Sequence, residues 1–189
     1  MESALIVSYS EKSLVFFTDM LHSISCDKIV TVTTCGEARR MLLEQEFDLC
    51  IINAPLSDES GESLARYISS KEIIQIILVV NSEYYEEVSN STEDYGIITV
   101  SKPINKDLFW SALKLAKAAQ KKIKIMRVEN NKLIQKIEDI RIVDRAKCIL
   151  ISYLSMSEPE AHKYIEKQAM DMRITKRSVA EGILKTYES

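Results

Sequence analysis

The sequence predicts an α/β chain: a doubly wound, five-stranded parallel sheet of order 2-1-3-4-5, then a long coiled-coil helix and a small all-α C-terminal domain of three helices. Two observations carry this. Five short apolar runs alternate with amphipathic segments over residues 4–101, the pattern of strands buried on both faces and joined by crossover helices. Right-handed crossovers leave few strand orders, and 2-1-3-4-5 is the doubly wound one. Residues 105–154 contain neither Gly nor Pro and are rich in Lys, Ala, Leu, Glu and Gln, which lose little rotamer freedom in a helix.

In order, ALIVS (4–8) is the first strand, and Ser10 is placed to cap a helix from Glu11 to about Ile24. KIVTVT (28–33) is a strand and 36–45 a helix. DLCIIN (48–53) is a strand, followed by a polar loop and a helix over 61–69. QIILVVN (75–81) is a strand, 83–91 a short helix and GIITVS (96–101) the fifth strand. After Lys102-Pro103, Asn105 is the expected cap of the long helix. In such sheets ligands and reactive groups gather at the carboxyl ends of the strands. Those ends carry Ser8 and Tyr9, Asn53, Asn81 and Lys102.

At about 1.5 Å per residue the 105–154 segment is roughly 70 Å long as one helix or two nearly continuous ones, more than a compact domain covers. Its middle therefore needs a partner. With Ile123 at position a, the seam reads Ile123, Met126, Asn130, Leu133, Ile137, Ile140 in alternating a and d positions. A lone Asn in an apolar seam fixes register and favours a parallel pair of helices. The flanking charges do not add to this: Lys122 meets Arg127 and Lys136 meets Arg141, while Glu129 meets Ile134. The seam spans about two and a half heptads, fewer than a long coiled coil. The expectation is a parallel homodimer with part of the seam shared with the C-terminal core. The alternative is that these residues pack only on the chain's own last helices.

Residues 1–131 carry 14 Lys and Arg against 19 Asp and Glu, net −5; residues 132–189 carry 11 against 9, net +2. A mildly basic back half suits a polyanion partner. Four scattered cysteines, two histidines and no C-x-x-C pair argue against a metal site or cofactor and fit a reducing cytoplasm. No apolar run has the length of a membrane span, and no basic segment with an apolar stretch marks export. No nucleophile–base pair stands out, and four glycines form no phosphate-cradling loop, so an enzyme is not expected.

Two further helices close the chain. Ser157 with Glu160 forms a capping box and Pro159 sits in the permissive first turn; Thr175 caps the last segment. Helical spacing predicts buried faces of Ile142, Ala146, Ile149, Leu150 and Tyr153, then Ala161, Ile165, Ala169 and Met172, then Val179, Ile183 and Leu184.

Over about residues 3–118 the chain resembles the receiver domain of bacterial response regulators, on the strand layout, DLCIINAPLSDESG and Lys102-Pro103. Receivers place two acidic residues after strand 1, a phosphoacceptor Asp at the end of strand 3, Ser or Thr after strand 4, and Lys-Pro after strand 5. This chain keeps Lys102 and Pro103 but has Ser8 and Tyr9, Asn53 and Asn81 at the other places, and Thr99 where a switch aromatic is usual. Phosphoryl transfer needs an anionic nucleophile and a cation held by hard oxygens. The Asn53 amide is neutral, so 1–118 is expected to be a pseudo-receiver. Asp58 in the following loop reads as a solvated turn residue, and freed Lys102 as a donor to Asn53 or nearby carbonyls.

Residues 133–189 look like an ANTAR domain, the RNA-binding antiterminator module, on Ala146-Lys147, the turn Ser157-Glu158-Pro159-Glu160-Ala161, Ala169-Met170-Asp171 and Val179-Ala180. Cys148 replaces a common Gly, and Glu166 stands where Arg is frequent. The resemblance implies that paired units, joined by a coiled-coil linker over 119–140, bind RNA hairpins in leader transcripts. Arg145, Lys147, Lys163, Lys167, Arg173, Lys176 and Arg177 lie on or near the polar helix faces, where phosphates and splayed bases are held. Tyr164 is a stacking candidate, otherwise partly core. A protein-docking regulator with vestigial RNA binding is the alternative, favoured by Glu166 and the modest charge. Helix-turn-helix DNA binding is disfavoured because the cations are spread over three helices.

Overall fold

The structure is a computed structural model describing residues 1–187; the end of the 133–189 expectation, residues 188 and 189, lies outside the described residues. The chain divides into two compact units, Met1–Ile125 and Met126–Ser189.

The first unit is a five-stranded parallel sheet, β1 (Ser3–Val7), β2 (Lys28–Val32), β3 (Leu49–Asn53), β4 (Gln75–Asn81) and β5 (Ile98–Lys102), in the order β2-β1-β3-β4-β5. The crossovers are α1 (Glu11–His22), α2 (Cys35–Glu44), α3 (Gly61–Lys71) and α4 (Tyr85–Thr92), the last flanked by single 3-10 turns at Ser82–Tyr84 and Glu93–Tyr95. α5 runs as a single helix over Lys106–Leu154. Strand alternation sorts the core into two faces. Leu5, Val7, Cys50, Ile52 and Leu78 pack with α2 and α3 residues such as Ala38, Leu64 and Ile68. Ala4, Ile6, Ile51 and Val79 pack with Phe17 of α1 and Phe109 and Leu113 of α5. Both faces are covered, so the central strand β3 is buried along its whole length, as continuous apolar runs require. Each fully buried Leu or Ile contributes about 1.5–3 kcal/mol of transfer free energy.

The expected caps form. The Ser10 hydroxyl accepts from Ser13 N–H at 3.4 Å, and Asn105 Oδ1 accepts from Asp107 and Leu108 N–H at 2.9 and 3.1 Å, satisfying helix-end donors. Early α5 is fastened to the sheet by Asp48. Its buried carboxylate accepts from Glu2 N–H at 2.6 Å and Lys124 Nζ at 2.8 Å, with Gln120 Nε2 at 3.5 Å. Burial opposes ionisation of Asp48, but the Lys124 and backbone hydrogen bonds outweigh it and hold the carboxyl below the ordinary aspartate range.

The second unit contains the end of α5, α6 (Glu158–Met172) and α7 (Lys176–Tyr187). Its core is Ala146, Leu150, Ala161, Ile165, Ala169, Val179 and Ala180, with Ile142, Ile183 and Leu184 against it. Alanines at 146, 161, 169 and 180 let the helices approach closely. The Glu160 carboxylate accepts from Ser157 N–H at 2.8 Å, completing the expected capping box. Two expected core residues are not core. Tyr153 is 64% exposed and Met172 60% exposed, since each lies at the end of its helix beyond the crossing. Tyr153 instead lies beside Tyr187, ring centroids 5.4 Å apart.

Candidate functional site

At the carboxyl ends of β1 and β3, the Asn53 amide Nδ2 donates to Ser8 Oγ at 3.0 Å, and both residues are buried. Ser8 Oγ also accepts from Ser10 N–H at 3.2 Å, tying strand β1 to the cap of α1. Asn53 Oδ1 is buried without a hydrogen-bond partner. Lys102 Nζ donates to the Ala54 carbonyl, one of the two acceptors expected for it, and burial lowers its pKa. Tyr9 points away, 58% exposed. Asn81 is half-buried and lines a cavity of about 380 Å³ with Ala54, Gly61, Tyr84 and Val88. Thr99 Oγ1 lies 3.2 Å from Thr92 Oγ1, a hydroxyl pair between β5 and α4. The structure thus gathers Ser8, Asn53 and Lys102 at the strand ends, while Tyr9 leaves the cluster.

Asp58 is exposed in its loop, as expected of a turn residue, and its carboxylate also reaches a helix end. It accepts from Cys35 N–H at 3.0 Å and Gly36 N–H at 3.1 Å, and the Cys35 amide holds its carboxyl below the usual range. The carboxylate sits where the free amides and dipole of α2 favour negative charge. Burial, with Asp58 adding to it, pushes the Cys35 thiol up to about 12. The sequence offered no spacing signal for this, because Asp58 reaches α2 from a loop 22 residues away.

In the second unit the seven basic candidates fall into groups. Lys147 bridges Asp144 at 2.8 Å and Glu158 at 2.9 Å, and these carboxylates raise its pKa; it fastens α6 to α5. Arg177 meets Asp139 at 2.8 Å and Glu181 at 2.7 Å, fastening α7 to α5. Lys176 pairs with Glu166, and that contact holds Glu166 below the usual range. Glu166, the acidic departure in the motif, thereby ties α6 to α7. Lys163, Lys167 and Arg173 are exposed; Arg173 closes α6 in the left-handed region at φ 54°. Arg145 is also exposed. Tyr164 is 38% exposed. Lys147, Lys176 and Arg177 line one cleft, together with His162 and Thr175.

On α5, Met126, Leu133, Ile137 and Ile140 are 57%, 58%, 51% and 60% exposed, Asn130 is exposed and Ile123 half-buried. The C-terminal core begins at Ile142, so the seam from Met126 to Ile140 is not covered by the chain's own last helices. Among the described residues no helix is long and apolar enough to cross a membrane.

The ANTAR domain family matches residues 131–184. The transcriptional regulatory protein PdtaR of Mycobacterium tuberculosis is 30% identical over 139 residues, covering 74% of this chain and 68% of the relative. Among solved structures, the receiver domain of an HD-domain protein from Pseudomonas fluorescens superposes with a TM-score of 0.58 at 21% identity, over 65% of this chain and 91% of that one. The receiver of a LuxO-type repressor protein from Vibrio parahaemolyticus gives 0.58 at 19%, over 66% and 96%. The sheet order is that of the receiver fold. The chain belongs to the ANTAR-domain response regulators, with a receiver fold in front and an ANTAR output domain behind.

Proposed function

We propose that this protein is a cytoplasmic transcription antiterminator that binds hairpins in leader RNA as a parallel homodimer and whose receiver does not take part in phosphoryl transfer. Residues 1–118 act as the pseudo-receiver, 119–140 as the coiled-coil linker and 133–189 as the RNA-binding head. The observation that carries the reading is the ANTAR match over 131–184 on a unit with Lys163, Lys167 and Arg173 exposed. The uncovered seam residues Met126, Leu133, Ile137 and Ile140 support pairing of two copies, which sets two heads side by side for two hairpins. An amide at position 53 hydrogen-bonded to Ser8 is a poor nucleophile, and hydroxyls at 8 and 9 are poor Mg²⁺ ligands beside carboxylates. No cofactor or metal is required, and no catalytic step is assigned to any residue.

The test is retardation of a leader RNA carrying tandem hairpins, against duplex DNA of equal length as competitor. The expected result is an RNA complex that weakens with salt, log K falling by about 0.7–0.9 per phosphate contact against log salt. Absence of a retarded band at low salt overturns the reading.

A second reading has specific support. Lys147, Lys176 and Arg177 are held by carboxylates of the same chain, which reduces the charge offered to RNA. A docking regulator that uses the receiver and coil to bind a regulatory protein, with RNA binding vestigial, would show the dimer and no retarded RNA.

A further inference from the structure

Between the first turn of α3 and α4, beside the carboxyl ends of β3 and β4, lies the cleft of about 380 Å³ that Asn81 lines. Its walls are fixed by the fold itself. The Ala54 N–H donates to the Val79 carbonyl at 2.9 Å, and the Ala54 carbonyl accepts from Lys102 Nζ. α3 packs hard on that segment, since a Cβ on Gly61 would stand 2.8 Å from the Ala54 side chain. Val80 and Val88 are buried and give the cleft an apolar side. Tyr84, 53% exposed, lines it from the turn before α4.

The polar groups are unevenly shared. Asn81, half-buried at the end of β4, and Glu87, exposed on α4, both line the cleft. Neither side chain has a hydrogen-bond or ion-pair partner among the described residues. Glu62, on α3, already accepts from Ser91 Oγ at 2.9 Å and pairs with Arg66. No Lys or Arg lines the cleft.

We propose that this cleft binds a small organic ammonium ion with an apolar body. Its volume is within the range of small-molecule sites, which combine an apolar lining with a few placed polar groups. An ionised carboxylate only accepts and an ammonium only donates, so Glu87 selects a cation and repels an anion. The face of the Tyr84 ring attracts the same charge. The Asn81 amide oxygen takes a second ammonium hydrogen, and Val80 and Val88 cover the hydrocarbon. The first turn of α3 favours negative charge, but Glu62 stands on that turn and supplies it, so the helix end does not draw an anion into the cleft. Among the described residues no three His, Cys, Asp or Glu side chains gather as metal ligands, which leaves an organic cation. Every residue of the site belongs to the first unit, so the proposal stands apart from the RNA-binding reading.

The full chain, labelled for amide resonances, is titrated with phenethylamine, with its neutral counterpart phenethyl alcohol and with the anion hydrocinnamate. The expected result is saturable shifts at Ala54, Gly61–Glu62 and Val80–Val88, with the amine bound about tenfold tighter than either counterpart. Glu87→Gln keeps the shape of an exposed side chain and is expected to weaken the amine about tenfold, the scale of a hydrogen bond to a charged group. Tyr84→Leu should weaken it about threefold, the scale of an exposed cation–π contact. Both variants should keep the thermal midpoint of the native chain. No saturable shift with millimolar phenethylamine, shifts gathered elsewhere, equal binding of the alcohol or the anion, or unchanged amine affinity in Glu87→Gln each overturn the proposal. Amine binding without RNA retardation sinks the antiterminator reading alone, and RNA retardation without amine binding sinks the cleft alone.

Discussion

The Asn53 amide donates to the Ser8 hydroxyl across 3.0 Å, and this one bond joins the ends of β3 and β1 where response regulators place their acidic chemistry. An amide N–H and a hydroxyl oxygen pair here without any cation. Two carboxylates at the same places would repel and need one.

Restoring the acceptor alone should therefore not restore phosphorylation. Asn53→Asp incubated with acetyl phosphate and Mg²⁺ should gain no phosphoryl group by intact mass, since Ser8 and Tyr9 still provide no anionic ligands for the metal. Adding Ser8→Asp and Tyr9→Asp to the same chain should allow uptake. Uptake by the native chain would show that the receiver is competent after all.

The Asp48 clamp predicts an acid-sensitive attachment of early α5. The carboxylate's folded pKa lies below its unfolded value, so its contribution is fully present above the unfolded aspartate range and is lost as pH falls through the folded value. Asp48→Asn removes the charge that Lys124 meets and weakens the bonds from Glu2 and Ser3 N–H. Chemical unfolding near neutral pH should show a loss of about 1–3 kcal/mol. The native–variant difference should shrink once the pH is below the ordinary aspartate range. A difference independent of pH would mean that the charge on Asp48 contributes nothing.

The elements of the sheet were legible because local signals agreed with the fold: apolar runs for strands, Ser10, Asn105, Ser157 and Thr175 for caps, and glycine- and proline-free sequence for α5. What escaped was non-local. Asp58 reaches the start of α2, Asp48 collects donors from Glu2 and Lys124, and Lys147, Lys176 and Arg177 find carboxylates on neighbouring helices. Periodicity reports which face of a helix is polar and says nothing of which ion crosses to another helix. Tyr153 and Met172 show the complementary limit, since apolar spacing continues past the point where a partner helix ends.

Pairing through α5 is tested by Ile137→Asp. A charge at a seam position has no partner in an apolar interface, and the dimer dissociation constant from sedimentation equilibrium should rise at least a hundredfold, about 3 kcal/mol. Unit folding should be retained, because Ile137 is 51% exposed within the chain. Asn130→Leu should act in the opposite direction, tightening association while relaxing register and oligomer number. If Ile137→Asp leaves the association state unchanged, the exposed stripe is not the interface.

The basic residues should separate by role when each is neutralised. Lys163→Gln, Lys167→Gln and Arg173→Gln remove charge from exposed positions, so unfolding midpoints should barely move. Wherever one of these cations meets an RNA phosphate, its removal should flatten the salt dependence of binding by about 0.7–0.9 in slope. Lys147→Met is different, because the ammonium bridges Asp144 on α5 and Glu158 on α6. Its removal should destabilise the C-terminal unit by at most about 1 kcal/mol, and its effect on RNA should include this structural part. Measuring both thermal midpoint and salt slope for the four variants separates the roles. If Lys147→Met alone changes the slope while the other three leave it intact, RNA is held at the α5–α6 bridge and the bridging carboxylates must release the lysine on binding.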